Sequence, residues 1–199
     1  MKLVNFLHQG RVQYGAVKGN RIVNLSDRLG SEYPDIVSFI AGGTLTKARA
    51  IVDSQSGDHD YDAVELLPVV PNPGKIICVG VNYDDHLEEA RRHFTEKAEQ
   101  DGRPAPRPPQ SGYPMIFARW PESLTAHRAP ILRPKVSTQL DWEAELLVVI
   151  GKPTGRYVKE EKALDLVFGY SCMNEACLRD YQFHTGQKKK KKNFEKTGA

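Results

Sequence analysis

Three acidic residues, Asp141, Glu143 and Glu145, recur at every second position just before the apolar run at residues 146–150. Because side chains at positions i and i+2 lie on the same face of a strand, this spacing predicts three carboxylates side by side. Neighbouring carboxylates raise one another's pKa unless a positive charge lies between them, and a hard divalent cation provides that charge. A Glu-x-Glu pair is also typical of a solvent-facing acidic edge, but the apolar run after it favours an interior strand and a metal site.

A second group with catalytic potential is His86 with Glu89, in the segment NYDDHLEE. If a helix begins near Asp84, His86 and Glu89 lie on one face, three residues apart. A carboxylate at this spacing can hold the imidazole in one tautomer and raise its basicity, as a general base requires. The same pair is also common as a surface ion pair, so both interpretations stay open. Four other histidines lack a comparable context and are assigned no chemistry: His8, His59, His93 and His127.

A third group of polar side chains follows the predicted strand at residues 168–174. Within a few positions the chain carries Glu175, Arg179, Asp180 and Gln182. The cysteines on either side of this turn, Cys172 and Cys177, are too far apart for a Cys-x-x-Cys pair. The sequence therefore disfavours a zinc site there.

The elements that must position these groups fall into two predicted domains. Residues 1–70 are predicted to form a small N-terminal domain, with a three-stranded meander at residues 3–7, 12–17 and 21–25. Helices are predicted at residues 34–40 and 44–52. The segment Pro71-Asn72-Pro73-Gly74 excludes helix and central strand, which sets the boundary to a second domain over residues 71–199.

The second domain is predicted to be mainly β with some helix, which makes the whole chain an α+β protein. Its strands are predicted at residues 75–80, 114–120, 131–134, 140–150 and 168–174, and its helices at 84–97 and 159–167. Residues 101–114 contain five prolines. They are predicted to form a mobile loop that closes over a substrate.

Composition excludes several classes of protein. The 199 residues are 40% hydrophobic and 27% charged, as in folded globular proteins, and no apolar run approaches the ~18 residues of a membrane span. The net charge of +3 depends on Lys188 to Lys192, because without these five lysines it would be −2. This argues against nucleic acid as a partner. An early polar N-terminus and an odd number of cysteines predict a reduced, cytoplasmic protein.

Four segments, in order, resemble the fumarylacetoacetate hydrolase family: KIICVGVNYDDHLEE, PMIFARWPESL, LDWEAELLVVIGK and GYSCMNEACLRDYQ. The resemblance extends from Lys75 to Ala199, and the meander resembles the small N-terminal domain of many members. It implies that residues 71–199 form part of the family's β-roll catalytic domain, and that the protein is a homodimer. It also implies a further half of the β-roll after Ala199, without which a chain is expected not to turn over substrate.

The resemblance also implies a metal site. Its ligands fall on Glu143, Glu145 and Glu175, and Glu175 stands where the family ordinarily has an aspartate. Mg²⁺ is the expected ion, with Mn²⁺ or Ca²⁺ as alternatives, because the longer side chain of glutamate can change the ligand geometry.

Further functional residues are implied by the same resemblance. The catalytic residues fall on His86, Glu89 and Lys192, and the substrate-binding residues on Arg119, Arg179 and Gln182. In similar members a Phe-Thr-Pro-Gly stretch precedes the catalytic lysine, whereas Lys188 to Lys191 stand here.

The implied activity is metal-dependent hydrolysis of a carbon–carbon bond in an acylpyruvate-like 2,4-dioxo acid, a reaction of aromatic catabolism. The ion would chelate the carboxylate and keto oxygens and stabilise an enolate. His86, oriented by Glu89, would deprotonate the attacking water. Family members also act as oxaloacetate-type decarboxylases, hydroxymuconate-type isomerases and hydratases, and these stay as alternatives. The alternative from another class is a non-catalytic fragment that binds metal weakly or not at all.

Overall fold

The computed structural model describes residues 1–42, 44–104, 113–183 and 192–197. Its N-terminal part forms the strands β1 (Lys2–His8), β2 (Arg11–Lys18), β3 (Arg21–Asn24), β4 (His59–Asp60) and β5 (Glu65–Leu67). They make one antiparallel sheet in the order β4-β3-β2-β1-β5. The tight turns need positive φ, which Gly10 (75°) and Gly19 (62°) adopt without the steric cost of a Cβ. The predicted three-stranded meander is present, with a short strand added at each edge.

Three helices bury their apolar residues against this sheet. They are α1 (Ser26–Leu29), α2 (Ile36–Gly42) and α3 (Leu45–Ser54). Leu29, Phe39 and Ala48, one from each helix, share a buried cluster with Tyr14 and Val23 of the sheet. Phe39 stacks on Tyr14 with 5.5 Å between the ring centroids. This cluster is the main core of the described chain and supports the elements that follow.

Contacts between residues divide the chain into two units, Met1–Gly74 with Trp120–Ala199, and Lys75–Arg119. The second unit contains β6 (Ile76–Gly80), α4 (Asp84–Gln100) and β7 (Met115–Arg119). β6 and β7 pair antiparallel, with Ile76 opposite Arg119. The helix has Asp84 and Asp85 in its first turn and Lys97 in its last, which matches the helix dipole. The domain boundary predicted between residues 70 and 71 stays a prediction.

The first unit continues with a second group of elements. These are β8 (Leu140–Asp141), β9 (Ala144–Ile150), α5 (Glu160–Ala163), β10 (Val167–Asn174), β11 (Cys177–Leu178) and α6 (Arg179–Phe183). β9 pairs antiparallel with β10, and β8 pairs antiparallel with β11. Residues 131–134, predicted to be extended, belong to no strand. Residues 105–112 of the predicted loop and 188–191 of the lysine run lie outside the described residues.

The hairpin of β9 and β10 has two different faces. On one face Val149 and Phe168 pack against the N-terminal core, and the ring of Phe168 lies 6.4 Å from that of Phe39. On the other face Leu146 and Tyr170 are each 63% exposed. The prediction that the apolar run places this strand in the interior is therefore wrong for one of its two faces.

One further feature of the N-terminal sheet is a pair of histidines. The rings of His8 and His59 lie with their centroids 4.2 Å apart, and Asn24 Nδ2 lies 3.4 Å from His59 Nε2. Burial, followed by the nearby His8, lowers the pKa of His59 below its ordinary value of 6.5. Because the unfolded chain then binds the proton more readily, this group destabilises the folded protein as the pH falls below the unfolded pKa.

We predict that the melting temperature falls as the pH is lowered from about 7.5 to about 5.5, and that His59→Gln reduces this fall. His127→Gln is the matched control, because His127 is exposed. Differential scanning calorimetry at both pH values measures the effect. An equal pH dependence in wild type and His59→Gln would show that His59 does not contribute.

No helix in the described part of the chain is both long enough and apolar enough to span a membrane.

Candidate metal centre

The two paired strands of the first unit are interrupted at the acidic residues. The β9–β10 ladder ends with Ala144 opposite Asn174, and pairing resumes in β8–β11 with Asp141 opposite Cys177. Glu143 lies in the interruption. Its backbone N–H donates to Asn174 Oδ1 (3.0 Å), and its carbonyl accepts from the Glu175 N–H (2.7 Å). The prediction of one continuous strand over residues 140–150 is wrong at these positions, and the irregular backbone holds Glu143 beside Glu175.

Three carboxylates converge at this interruption. Glu143, Glu145 and Glu175 each offer one oxygen atom, and these atoms all lie within 4.8 Å of one another. Glu175 is buried and the other two are half-buried. Carboxylate oxygens at this spacing fit a hard divalent cation such as Mg²⁺, Mn²⁺ or Ca²⁺. The structure thus brings together the three ligands that the family resemblance implied.

Asp141 does not join this group, although the i, i+2 spacing predicted that it would. Its Oδ2 accepts a hydrogen bond from Arg179 Nε at 2.8 Å. The guanidinium holds the pKa of Asp141 below its ordinary value. Because the strand breaks after Asp141, that carboxylate pairs with Arg179 at the start of α6.

The ammonium group of Lys192 lies against two of the three carboxylates. It donates to Glu143, to Glu175 Oε2 at 2.7 Å and to the Glu175 carbonyl at 3.2 Å. The Lys192 side chain is only 4% exposed. The neighbouring residue fixes this part of the backbone, since the Trp120 N–H donates to Asn193 Oδ1 at 2.7 Å.

Arg179 contacts both the acidic cluster and Gln182, the other residue of this segment that is predicted to bind substrate. Its Nη1 donates to Gln182 Oε1 and lies 3.1 Å from Glu143 Oε1. Burial alone would raise the pKa of Glu143. The positive charges of Lys192 and Arg179 have a larger effect in the opposite direction, so the pKa of Glu143 lies below its ordinary value. Glu143 is therefore charged and acts as an acceptor at neutral pH.

Acidic side chains outnumber cationic ones among the described residues of this site. Four carboxylates (Asp141, Glu143, Glu145 and Glu175) lie near Arg179 and Lys192. Oxygen ligands with negative charge favour a hard divalent cation. The donor set, its spacing and its charge therefore all fit the implied metal.

The remaining predicted residues lie in the second unit. His86 and Glu89 are on α4, with 3.8 Å between His86 Nδ1 and Glu89 Oε2. This distance exceeds that of a hydrogen bond. Arg119 is the last residue of β7. The two side chains of the pair are 40% and 69% exposed.

Sequence reasoning missed Asn174 and misjudged Asp141. The side chain of Asn174 accepts a hydrogen bond from the Glu143 backbone and so positions a candidate ligand. The only signal for it was its position directly before Glu175. Nothing in the sequence indicated that Arg179 would take Asp141 as its partner.

Comparison with known proteins gives matches along the whole chain. Residues 75–199 match the family described as fumarylacetoacetate (FAA) hydrolase C-terminal. Oxaloacetate tautomerase fahd2, mitochondrial, from Xenopus laevis is 36% identical over 138 residues, which cover 69% of this chain and 38% of that protein.

Two solved structures share the fold over 100% of this chain and 64% of their own. The fumarylacetoacetate hydrolase of Exiguobacterium antarcticum has 27% identity and a TM-score of 0.69. The maleylpyruvate hydrolase of Sphingobium sp. SYK-6, in complex with manganese (II) ion and pyruvate, has 24% identity and a TM-score of 0.70. The chain thus spans less than two thirds of the length of each of these three relatives.

Proposed function

The chain belongs to the fumarylacetoacetate hydrolase family, and from this we propose that it is part of a metal-dependent enzyme acting on a 2-oxo acid. The observation that carries the proposal is the convergence of Glu143, Glu145 and Glu175 beside the buried Lys192. A divalent cation held by these carboxylates supplies the charge that polarises a carbonyl and stabilises negative charge developing on its oxygen. Mg²⁺ is the proposed ion, because the ligands are oxygen atoms and it is a common partner of such sites.

We propose hydrolysis of a carbon–carbon bond in an acylpyruvate-like 2,4-dioxo acid. Arg179 and Gln182, already in contact with each other, bind the substrate carboxylate. The Lys192 ammonium donates to an oxygen that gains negative charge. Water attacks the carbonyl remote from the carboxylate, the bond to the intervening carbon breaks, and a carboxylic acid and pyruvate result.

His86 is the proposed general base for this water, and Glu89 the residue that orients its imidazole. Support comes from the i, i+3 placement of the two residues on α4 and from the match of residues 75–199 to the family. Arg119 is proposed as a further contact of the substrate carboxylate. These three roles are proposals for the active protein, and each can be tested by single substitution.

A second candidate activity is the keto–enol interconversion of oxaloacetate. The 36% identity to a protein named as an oxaloacetate tautomerase favours it. The same carboxylates and the same base serve this reaction, but no water is consumed and no carbon–carbon bond breaks. The two candidates therefore differ in their products and not in their metal requirement.

Turnover of acylpyruvates and of oxaloacetate by the full-length protein, with Mg²⁺ or Mn²⁺ and then with chelator, tests both candidates. Hydrolysis is expected to release pyruvate from an acylpyruvate, and the chelator is expected to abolish this release. A change in oxaloacetate enol absorbance without pyruvate from any acylpyruvate would select the tautomerase. Equal rates with metal and with chelator would contradict metal-dependent chemistry of either kind.

We further propose a homodimer in the cytoplasm. The apolar residues exposed on the β9–β10 hairpin support a subunit interface. No disulfide joins Cys78, Cys172 and Cys177 among the described residues, which suits a reducing compartment. Light scattering measures the number of subunits, and a monomer at working concentration would contradict the dimer.

A further inference from the structure

The buried ammonium of Lys192 contacts the carboxylates of two of the three proposed metal ligands. An ammonium group has three N–H donors. Acceptors around it in the described part of the chain include a carboxylate oxygen of Glu143, a carboxylate oxygen of Glu175 and the backbone carbonyl of Glu175. Two of these acceptors are carboxylate oxygens of proposed metal ligands, so the lysine and the metal draw on the same carboxylates.

A divalent cation bound by the same two carboxylates would lie close to the ammonium. Mg²⁺ takes oxygen ligands at about 2.0–2.1 Å, in near-octahedral geometry with little tolerance for distortion. Two positive charges would then share one site in which the lysine side chain is 4% exposed and the two glutamates 17% and 7%. Because solvent screens such a pair poorly, the repulsion between them is strong.

We propose that Lys192 is the internal counter-ion of the acidic cluster and competes with the divalent cation for Glu143 and Glu175. In the metal-free protein its ammonium neutralises part of the cluster's charge and holds the two carboxylates together. Metal binding moves the ammonium off these carboxylates. This inference rests on the proposed function, because it assumes the metal site.

The exchange has a consequence for substrate binding. While its donors are used by Glu143 and Glu175, Lys192 has little capacity left for a substrate oxygen. Once the cation has displaced it, the same ammonium becomes available to a substrate. Metal binding therefore precedes productive substrate binding, and Lys192 couples the two events.

Removing the lysine charge tests the competition directly. In Lys192→Met, calorimetric titration with Mn²⁺ should show an affinity at least about tenfold higher than in wild type, because a repelling charge has been removed. Without metal, the melting temperature of this variant should be lower than that of wild type, since the acidic cluster has lost its counter-ion. Addition of Mn²⁺ should raise the melting temperature more in the variant than in wild type.

Two further variants complete the design. Lys192→Gln removes the charge but keeps a donor, and it should change the Mn²⁺ affinity in the same direction. Lys152→Met is the matched control, because Lys152 is exposed in the same unit, and it should change neither quantity. The Lys192 variants are purified with Mn²⁺ present and stripped with chelator before titration, so that folding does not depend on the empty site.

The possible failures can be told apart. An affinity that is unchanged or weaker in both Lys192 variants would overturn the competition, since Lys192 would then support the ligands. If neither wild type nor any variant binds Mn²⁺, the metal site itself and the proposed function are wrong. The metal-free melting temperature is measured in either case and does not depend on turnover.

Discussion

His86→Ala should lower kcat by about 10²–10⁴-fold, the range typical for loss of a general base. The imidazole lies one helical turn from the Glu89 carboxylate, 3.8 Å away, and this partner can orient the ring when substrate binds. The affinity of the protein for the divalent cation should stay close to that of wild type, because His86 does not belong to the proposed set of three carboxylate ligands. Steady-state kinetics on the full-length protein, together with Mn²⁺ calorimetry, measures both quantities.

His93→Ala is the matched control for this substitution. His93 lies on the same helix and is exposed, so its loss removes an imidazole from α4 without touching the proposed pair. Glu89→Gln should lower kcat less than His86→Ala, since the base remains but loses its orienting charge. A wild-type kcat in His86→Ala would refute the role of His86 as the base.

Glu143→Ala and Glu145→Ala should each abolish detectable binding of Mg²⁺ and Mn²⁺. Removal of one of three carboxylates leaves too few oxygen ligands and too little negative charge to dehydrate these ions. Activity should be lost with the metal, which makes this the largest expected effect besides that of His86. Isothermal calorimetry with both ions measures the affinity, and kinetics at high metal concentration measures the residual activity.

Asp141→Asn is the control that removes a nearby negative charge without removing a proposed ligand. Asp141 accepts a hydrogen bond from Arg179 at 2.8 Å and is not one of the three proposed ligands, so metal binding should persist in this variant. Glu143→Ala should also destabilise the metal-free protein, by about 1–3 kcal/mol, because Lys192 and Arg179 lose a half-buried acceptor. Unchanged metal affinity in both glutamate variants would remove the proposed site.

Much of the fold followed from local patterns. Alternation of apolar residues, with glycine turns between the segments, was enough to place the N-terminal meander, and Pro34 marked the start of a helical segment that the structure places at Ile36–Gly42. These features depend on neighbours within a few residues, which is the range that periodicity reports.

The interruption at Glu143 did not follow from such patterns. The apolar run after it predicts an unbroken strand, and the bonds that break the ladder come from Asn174 and Glu175, more than thirty positions away in the chain. For the same reason the pairing of Asp141 with Arg179 was not predictable. Local rules fail here at the proposed functional site, where irregular backbone is common.

The candidate metal ligands and Lys192 were proposed from residue types and the family resemblance, but their arrangement was not predictable from either. Lys192 and Glu143 are 49 residues apart in sequence. Only the folded chain shows that the lysine lies among the carboxylates. Residue type and resemblance thus proposed which groups take part, and tertiary structure was needed to show that Lys192 contacts two of the carboxylates.

The alternation of side chains along β9 makes protein engineering of this region simpler. Odd-numbered positions carry the proposed ligand Glu145 and Val149, which packs against the core, whereas even-numbered positions carry the exposed Leu146 and Val148. Because these even positions belong to the proposed subunit interface, lysine or glutamate there should weaken the dimer, with the new charges on the face opposite Glu145. A mutational library can therefore probe subunit assembly at one set of positions and catalysis at the other, within a single seven-residue strand.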